Sequence, residues 1–554
     1  MESRKLRVGI LVQGETVPAW GYHIIQEIIA SKHLELALII RIPDAGCKKR
    51  PFFSRLRHAI AHSLFSFHMA FERLLFRPKP NAFAAMNPEP LLRGIPEFVP
   101  ETLSGSGMSD ISLPVEALKH LPPDVIVQLY PGAVYARLAG FVRCGLWAVG
   151  SHCAGGDHDG LAGVWELLRR HDVTAATIHI RQNDKSDRPV VLKSVFRTME
   201  NSIRWNRNTY YWKVSVLMVQ KLVELSRTGW GAFFERAVSQ GYKNQISAQV
   251  PSEKPGNLRM AVLVMQLIFS YLRKKIDRFF FFYQWILLFK KGQGDDPDEQ
   301  PGLSQRLYPP KDRLWADPFV IHKDNKYYVF YEEMLFGEKK GRIACKVFDG
   351  EENIRDAGVV LALEGHLSYP FVFEDGGMFY MIPENSAGRA IDLYRSDKFP
   401  GQWEPAGRIM GDVEAADATV FKHKGTYWLF VNIRSHPGVS INDDVFLFYS
   451  DRLLDGQWHP HPQNPVVSDV RFSRPAGKLF MRDGRVYRPA QNGGKHYGYG
   501  VQIMEVERLD KTRYSETPVN SILPLWAPDV RGIHTLNASK GFTVADALVK
   551  RKRR

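Results

Sequence analysis

A chain of 554 residues is too long for one hydrophobic core, so two or three domains are expected. Hydrophobic residues at 44% and charged residues at 24% make an ordinary globular mix and exclude global disorder. Lysine and arginine total 74 against 59 acids, a formal charge of +15 that favours phosphorylated sugars, nucleotides, acidic glycans or an anionic membrane face; nucleic acid fits the charge equally well, but with no zinc-finger spacing, ribonucleoprotein motif or helix-turn-helix cue it is not the expected partner.

The first elements are the plainest. LRVGILV is a continuous apolar run, as a strand buried on both faces requires. GYHIIQEIIA has helical periodicity, and LELALIIRI is a second buried strand, so residues 6–41 predict the opening βαβ of a parallel sheet. The N-terminal apolar run is short and lacks a small-residue cleavage pattern, so it reads as a strand and not as a signal peptide. Cys47, Cys144, Cys153 and Cys345 are scattered without metal or redox spacing, which points to buried free thiols in a reducing compartment. A cytoplasmic location follows as the expectation.

Residues 48–80 are basic and amphipathic, and read as a helix on its own domain, with a membrane-surface helix as the alternative. A Pro/Gly/Ser-rich loop at 87–114 leads to two further strands in PDVIVQLY and GLWAVGSH. Residues 208–229 look helical and 230–257 look like a linker. The apolar stretch 260–272 is 13 residues long and ends at Arg273, Lys274 and Lys275. A bilayer span needs about 20 apolar residues. An amphipathic helix leading into a first propeller strand is therefore expected, with peripheral contact to the inner face of a membrane left open.

The stretch GLWAVGSHCAGGDHDGLAGVWELLRRHDVTAATIHIRQNDKSD resembles the core of the formyltransferase family, and the likeness spans roughly residues 5–225. In that family a strand ends in an Asn-x-His segment, and a Thr-Ile/Val strand and an Asp follow. The resemblance implies that His152 and Asp187 move the proton of the attacking amine, with Asp184 competing for the role of Asp187. Gly150 stands where the family has Asn, which removes the oxyanion donor used in ordinary formyl transfer. His152, Asp157, His158 and Asp159 crowd one loop, but their spacing matches no established metal site, so a catalytic loop without metal is expected.

The second half repeats. WADPFVIHKDNKYYVFYEE is echoed by SYPFVFEDGGMFYMIPEN, ADATVFKHKGTYWLFVN and SRPAGKLFMRDGRVYRPAQN, with a weaker fifth copy at GIHTLNASKGFTV. Each unit holds two strand-like runs around a Gly/Asp/Asn turn, the pattern of a β-hairpin. Asp317, Tyr369, Asp417, Arg474 and His534 open the units at intervals of 52, 48, 57 and 60 residues. That period suits a four-stranded propeller blade. In a propeller the opening residues of the first strands form a ring at the funnel mouth. Glu332, Glu384 and Asn432 follow the first three openers by fifteen positions, and the hairpin returns them to the same end. Carboxylates, a guanidinium and an imidazole beside aromatic residues suit a sugar, with Trp315 or Tyr369 as the stacking face and Glu384, Arg474 and His534 among the polar contacts. The alternative is a polar plug in which these groups satisfy one another.

The motif Ala316–Pro318 and the five-unit count resemble the propellers of arabinanases, levansucrases and invertases. That resemblance implies Asp317 as base or nucleophile, and Asp417 as the catalytic-site aspartate typical of the third blade. Arg474 opens the fourth unit, so the usual later-blade glutamate is missing from its expected place. The segments WADPF, PEN, DAT, RPA and GIHTLN resemble the N-terminal region of plant glucosamine inositolphosphorylceramide transferase and its bacterial relatives over roughly residues 280–550. The expected chain is thus multi-domain: an α/β parallel-sheet, formyltransferase-like domain at 1–229, a helical linker at 230–280 and an all-β five-bladed propeller at 281–554. The expected function is a transferase acting on a sugar or glycan in cell-surface polysaccharide or glycolipid assembly. Its donor is left open between a folate and a nucleotide-sugar. The rivals are a glycoside hydrolase or transglycosylase using the propeller carboxylates, and a non-catalytic glycan-binding scaffold.

Overall fold

The computed structural model describes residues 4–42, 52–99, 122–129, 136–149, 161–181, 190–243, 254–292, 297, 300–338, 340–349 and 353–553. The chain divides into two compact units: Met1–Ser270 with His436–Val439, and Tyr271–Ser435 with Ser440–Arg554. Cys144 and Cys345 are buried free thiols, and Cys47 and Cys153 lie outside the described residues.

The first unit is built on a seven-stranded sheet. Its strand order is Glu97–Phe98, Leu34–Ile42, Leu6–Gln13, Val125–Gln128, Leu146–Val149, Val173–Arg181 and Val190–Arg197. The first five strands run parallel. The last two join antiparallel, so the parallel sheet expected from the sequence is a mixed one. For the last pair the reason is connection length: the few residues between Arg181 and Val190 suffice for a hairpin, whereas a parallel crossover needs a dozen or more. The helix Ala19–Ala30 turns Trp20, Ile24, Ile25 and Ile28 onto this core. The long helix Ile203–Thr228 adds Tyr211, Val214, Met218 and Leu222 to it. Ser202 caps that helix by accepting from Trp205 N. Glu72 also reaches its N-terminus, accepting from Ile203 N at 3.0 Å and Arg204 N at 2.7 Å. The stretch at 230–257 read as linker contains a further helix, Trp230–Lys243. The helix Asn257–Phe280 runs directly into the strand Phe281–Lys291.

The second unit is a five-bladed β-propeller of five antiparallel sheets. Blade one is Arg313–Lys323, Lys326–Leu335, Lys340–Phe348 and Ile354–Leu361. Blade two is Leu367–Asp375, Met378–Asn385, Ala390–Lys398 and Gly401–Gly411. Blade three starts with Ala415–His423 and Thr426–Ile433, and blade four contains Phe480–Arg482 and Arg485–Asn492. Blade five joins the two ends of the unit. Its inner strands are Leu536–Ser539 and Phe542–Lys552. Phe281–Lys291 pairs with Phe542–Lys552 along its whole length, from Phe281 opposite Lys552 to Lys291 opposite Phe542. This pairing removes the two sheet edges an open ring would leave.

Local sequence explains the five inner hairpins. Each has a two-residue turn with both residues at positive φ: Asp324–Asn325, Gly376–Gly377, Lys424–Gly425, Asp483–Gly484 and Lys540–Gly541. That geometry matches the right-handed twist of the strands and favours Asn, Asp and Gly.

Gly477 has a different task. Its φ is 142°, its N–H donates to the Tyr369 hydroxyl at 3.0 Å, and an added Cβ would sit 2.1 Å from the Leu536 carbonyl oxygen. Gly477→Ala is therefore expected to destabilise the propeller by about 2–3 kcal/mol through backbone displacement. Gly425→Ala, with nothing near its added Cβ, is expected to cost about 1 kcal/mol of left-handed strain only. Denaturant unfolding of both variants checks this, and equal losses would contradict a tightly packed axis.

Candidate functional site: a ring of charged side chains at the propeller axis

Three blades position their opening residue by the same device. The ladder between the first two strands slips at Ala316/Phe319, Ser368/Phe371 and Ala416/Thr419. Asp317, Tyr369 and Asp417 sit in these bulges with φ of 51°, 43° and 52°. A bulge re-aims the side chain it carries, and left-handed backbone in a tyrosine is sterically costly, so the surrounding structure must enforce it. Ala316, Ser368 and Ala416 face Glu332, Glu384 and Asn432 across the ladder, which brings the fifteen-position partners to the openers as the hairpin arithmetic predicts. In blade four, Gln491 N donates to the Arg474 carbonyl at 2.7 Å. In blade five, Asp546 N donates to the Thr535 carbonyl at 3.3 Å, next to His534. Gln491 and Asp546 are thus the counterparts of Glu332 and Glu384. Sequence reading missed them because these hairpins are not fifteen residues long.

Two connected clusters result. In the first, the Arg474 guanidinium forks onto Asp417, with Nε at 2.5 Å from Oδ2 and Nη2 at 3.0 Å from Oδ1. The same guanidinium reaches Glu384 Oε2 at 3.2 Å and Asn442 Oδ1 at 2.6 Å. Gln491 Nε2 donates to Asp417 Oδ2 at 2.9 Å. Burial drives the Glu384 carboxyl well above the usual carboxylate range, against the pull of Arg474.

In the second cluster, Asp317 accepts from Thr535 Oγ1 at 2.8 Å and from Tyr369 N at 3.2 Å. Its own N–H donates to Asp546 Oδ2 at 3.0 Å. His534 lies between the two carboxylates. Its Nε2 is 3.4 Å from Asp317 Oδ1, and its Nδ1 is 2.6 Å from Asp546 Oδ2, off the line an N–H donor favours. Burial pushes Asp317 up to about 7, with His534 opposing the shift. Burial also pulls His534 down, but Asp546 and Asp317 outweigh it and raise the imidazole to about 9. His534 is stacked on Trp285 at 4.1 Å between ring centroids.

Among the described residues, Asp317, His534 and Asp546 are the grouping with metal-ligand spacing, their ligand atoms lying within 4.8 Å of one another. Asp546 already accepts from the backbone N–H groups of Asp317, His534 and Thr535. The raised pKa of His534 favours an imidazolium between the two carboxyl groups.

The placement of the sequence candidates is specific. Asp317, Asp417 and His534 are buried and tie blades together, Glu332 is buried as well, and Glu384 and Arg474 keep a small edge in solvent. Trp315 is not a stacking platform: it is buried, its Nε1 donates to Glu333, and the Lys346 ammonium covers its ring. Tyr369 is 0% exposed, packed edge-on to Phe319, with its hydroxyl bonded to Thr419 and Gly477, so it offers no face to a ligand either. The aromatic surface belongs to Tyr497, which is 40% exposed and lies over Arg474 and edge-on to His534. His366 is 31% exposed, with Nε2 at 3.3 Å from Glu332 Oε1. That hydrogen bond raises its pKa. Neither residue stands in the repeated hairpins, and no sequence signal marked them. His152 and Asp187 lie outside the described residues, as do Gly150, Asp157, His158, Asp159 and Asp184. The strand Leu146–Val149 before them is buried in the sheet of the first unit.

Residues 304–537 match the family described as glucosamine inositolphosphorylceramide transferase 1, N-terminal. The chain is 33% identical over 208 residues to glucosamine inositolphosphorylceramide transferase 1 of Oryza sativa subsp. japonica, covering 37% of this chain and 28% of that protein. It is also 33% identical over 207 residues to the protein of the same name from Arabidopsis thaliana, covering 37% of this chain and 27% of that protein. The matched segment thus spans little more than a quarter of these relatives. Among solved structures, a family 117 glycoside hydrolase produced by the marine bacterium Zobellia galactanivorans aligns at a TM-score of 0.32 and 15% identity, covering 48% of this chain and 91% of that one. A beta-xylosidase aligns at 0.34 and 13%, covering 44% and 92%.

Proposed function

We propose that the propeller binds a glycan at its axial mouth and that the chain is a glycan transferase of cell-surface polysaccharide or glycolipid assembly. The observation that carries the reading is the set of partly exposed groups at the axis: Glu384, His366, Arg474 and Tyr497. Carboxylates and a fixed guanidinium bridge vicinal hydroxyls or hold an acidic substituent, and an exposed phenol ring stacks on the apolar face of a sugar. The likeness to a transferase named for an inositolphosphorylceramide supports a glycolipid-related acceptor. The formyltransferase-like stretch around His152 and Asp187 is the place assigned to the transfer itself.

Glu384 favours a second reading. A carboxyl whose pKa burial raises is suited to general acid catalysis of glycoside hydrolysis. Asp317 and Asp417, however, have both oxygens engaged by hydrogen bonds or ion pairs and are buried, which suits blade tethers better than a nucleophile. Calorimetric titration of the full chain with a panel of neutral and acidic oligosaccharides is the test. Tyr497→Ala is expected to weaken binding about tenfold or more at a nearly unchanged melting temperature, because its ring is exposed, whereas His366→Ala should weaken binding and also lower the melting temperature, because it gives up its bonds to Glu332 and Gly341. A wild-type chain that binds no member of the panel would sink the glycan reading, and release of reducing sugar from a bound member would favour the hydrolase.

A further inference from the structure

Two helices turn one face inward and leave the other bare. The helix Ser63–Leu75 buries Phe65 and Glu72, and the helix Asn257–Phe280 buries Met260 and Leu263. Phe65, Met260 and Leu263 enter one hydrophobic cluster with Val164, Trp165 and Ile203. Asn257 ties the two helix starts together: its Oδ1 accepts from Leu64 N at 3.0 Å, and its Nδ2 donates to Ile60 O at 2.7 Å.

The opposite faces are apolar and exposed. On the longer helix, Leu258, Val262, Met265, Phe269, Leu272 and Ile276 are all exposed. At roughly 100° per residue they fall on a single stripe, diametrically opposite Met260, Leu263 and Leu267. Phe269 is 67% exposed, and Phe279 and Phe280 continue the apolar surface. On the shorter helix, Phe67, Phe71 and Leu74 form the corresponding stripe. Apolar area of this extent on a charged chain marks a surface that meets something else.

Charge identifies what it meets. Arg259, Arg273 and Lys275 flank the long stripe, and Arg73 and Arg77 lie at the end of the short one. The two helices contain two acids, and both are engaged. Glu72 caps the helix Ile203–Thr228, and Asp277 is bonded to Lys550 and Tyr283. The exposed apolar stripes are therefore bordered by cations without a competing free carboxylate. Among the described residues no helix is long and apolar enough to cross a membrane. A helix with one apolar face bordered by Lys and Arg lies in the plane of the interface instead.

We propose that these two helical faces bed into the headgroup region of a bilayer containing anionic lipid, holding the chain at a membrane surface. The proposal does not depend on the glycan reading.

The test is flotation of the full chain with phosphatidylcholine vesicles, with and without phosphatidylglycerol. Binding is expected to the anionic vesicles and to fall with added salt. The double variant Phe269→Glu with Leu272→Glu is expected to weaken it about tenfold or more, at an unchanged melting temperature because both side chains are exposed. Arg273→Gln with Lys275→Gln removes charge but leaves the apolar face, and is expected to weaken binding to anionic vesicles alone. No binding to anionic vesicles, or binding indifferent to both variants, overturns the proposal. So does a scattering mass of two chains that the Phe269 variant reduces to one without any vesicle binding, since a second copy would then cover the face.

Discussion

Arg474→Ala is expected to destabilise the propeller by about 3–5 kcal/mol, the cost of breaking a buried ion pair from one side. The guanidinium is the shared partner of Asp417 and Glu384, and it also holds Asn442. Removing it leaves two carboxylates in a nearly closed site, with Gln491 still donating to one of them. Arg474→Lys should recover only part of the loss, because an ammonium cannot reproduce the planar fork onto Asp417. Adding Asp417→Asn to Arg474→Ala should also recover part, since one uncompensated charge disappears. Denaturant unfolding of the full chain measures all three variants. A loss below about 1 kcal/mol for Arg474→Ala is the value of a solvated surface pair and would mean that the axis is wet.

Rising pH is expected to weaken the propeller through His534. Its folded pKa, about 9, lies above the ordinary 6.5. The stabilisation is therefore complete below about pH 6.5 and is lost as pH rises through about 9. Asp317 acts in the same direction at lower pH. Its carboxyl, raised to about 7, still holds a proton where the unfolded side chain has lost it, so stability falls as pH climbs toward 7. For His534 the effect is on the order of 3–4 kcal/mol, at about 1.4 kcal/mol per pKa unit. His534→Gln should melt lower than the parent at pH 6, by a gap that closes as pH approaches about 9.5. Thermal melts of both chains across that range provide the check. A gap that stays constant with pH would show that the imidazole matters for its packing on Trp285 and not for its charge.

The ring of openers was legible because a hairpin repeat is a local pattern: a strand, a turn that tolerates positive φ, and a returning strand. It placed Asp317, Tyr369, Asp417, Arg474 and His534 at equivalent points before any coordinates. What each does there was not legible. Trp315, two residues before Asp317, would share its face in a flat strand, but the bulge between them breaks the alternation and Trp315 turns to Glu333 and Lys346. Tyr369 occupies the same bulge as the aspartates, yet its larger side chain is absorbed by Phe319, Thr419 and Gly477. Tyr497 and His366 come from connections outside the repeat, where periodicity carries no information.

The sequence by itself determined the repeat, the five hairpin turns and the alternation that buries one face of each strand, because all of these depend on residues a few positions apart. Only the tertiary structure decided how the ring closes and who pairs with whom. Phe281–Lys291 meets Phe542–Lys552 across some 260 residues of chain. That closure brings Asp546 and Thr535 beside Asp317, and it is why the second cluster has no trace in the local pattern. Arg474 likewise selects Asp417 and Glu384 from blades 57 and 90 residues earlier. Propensity and spacing set where a charged group stands on its own hairpin. Its partner is set by the angle at which neighbouring blades meet around a common axis, where burial leaves each charge no water and only the opposing side chain to satisfy it.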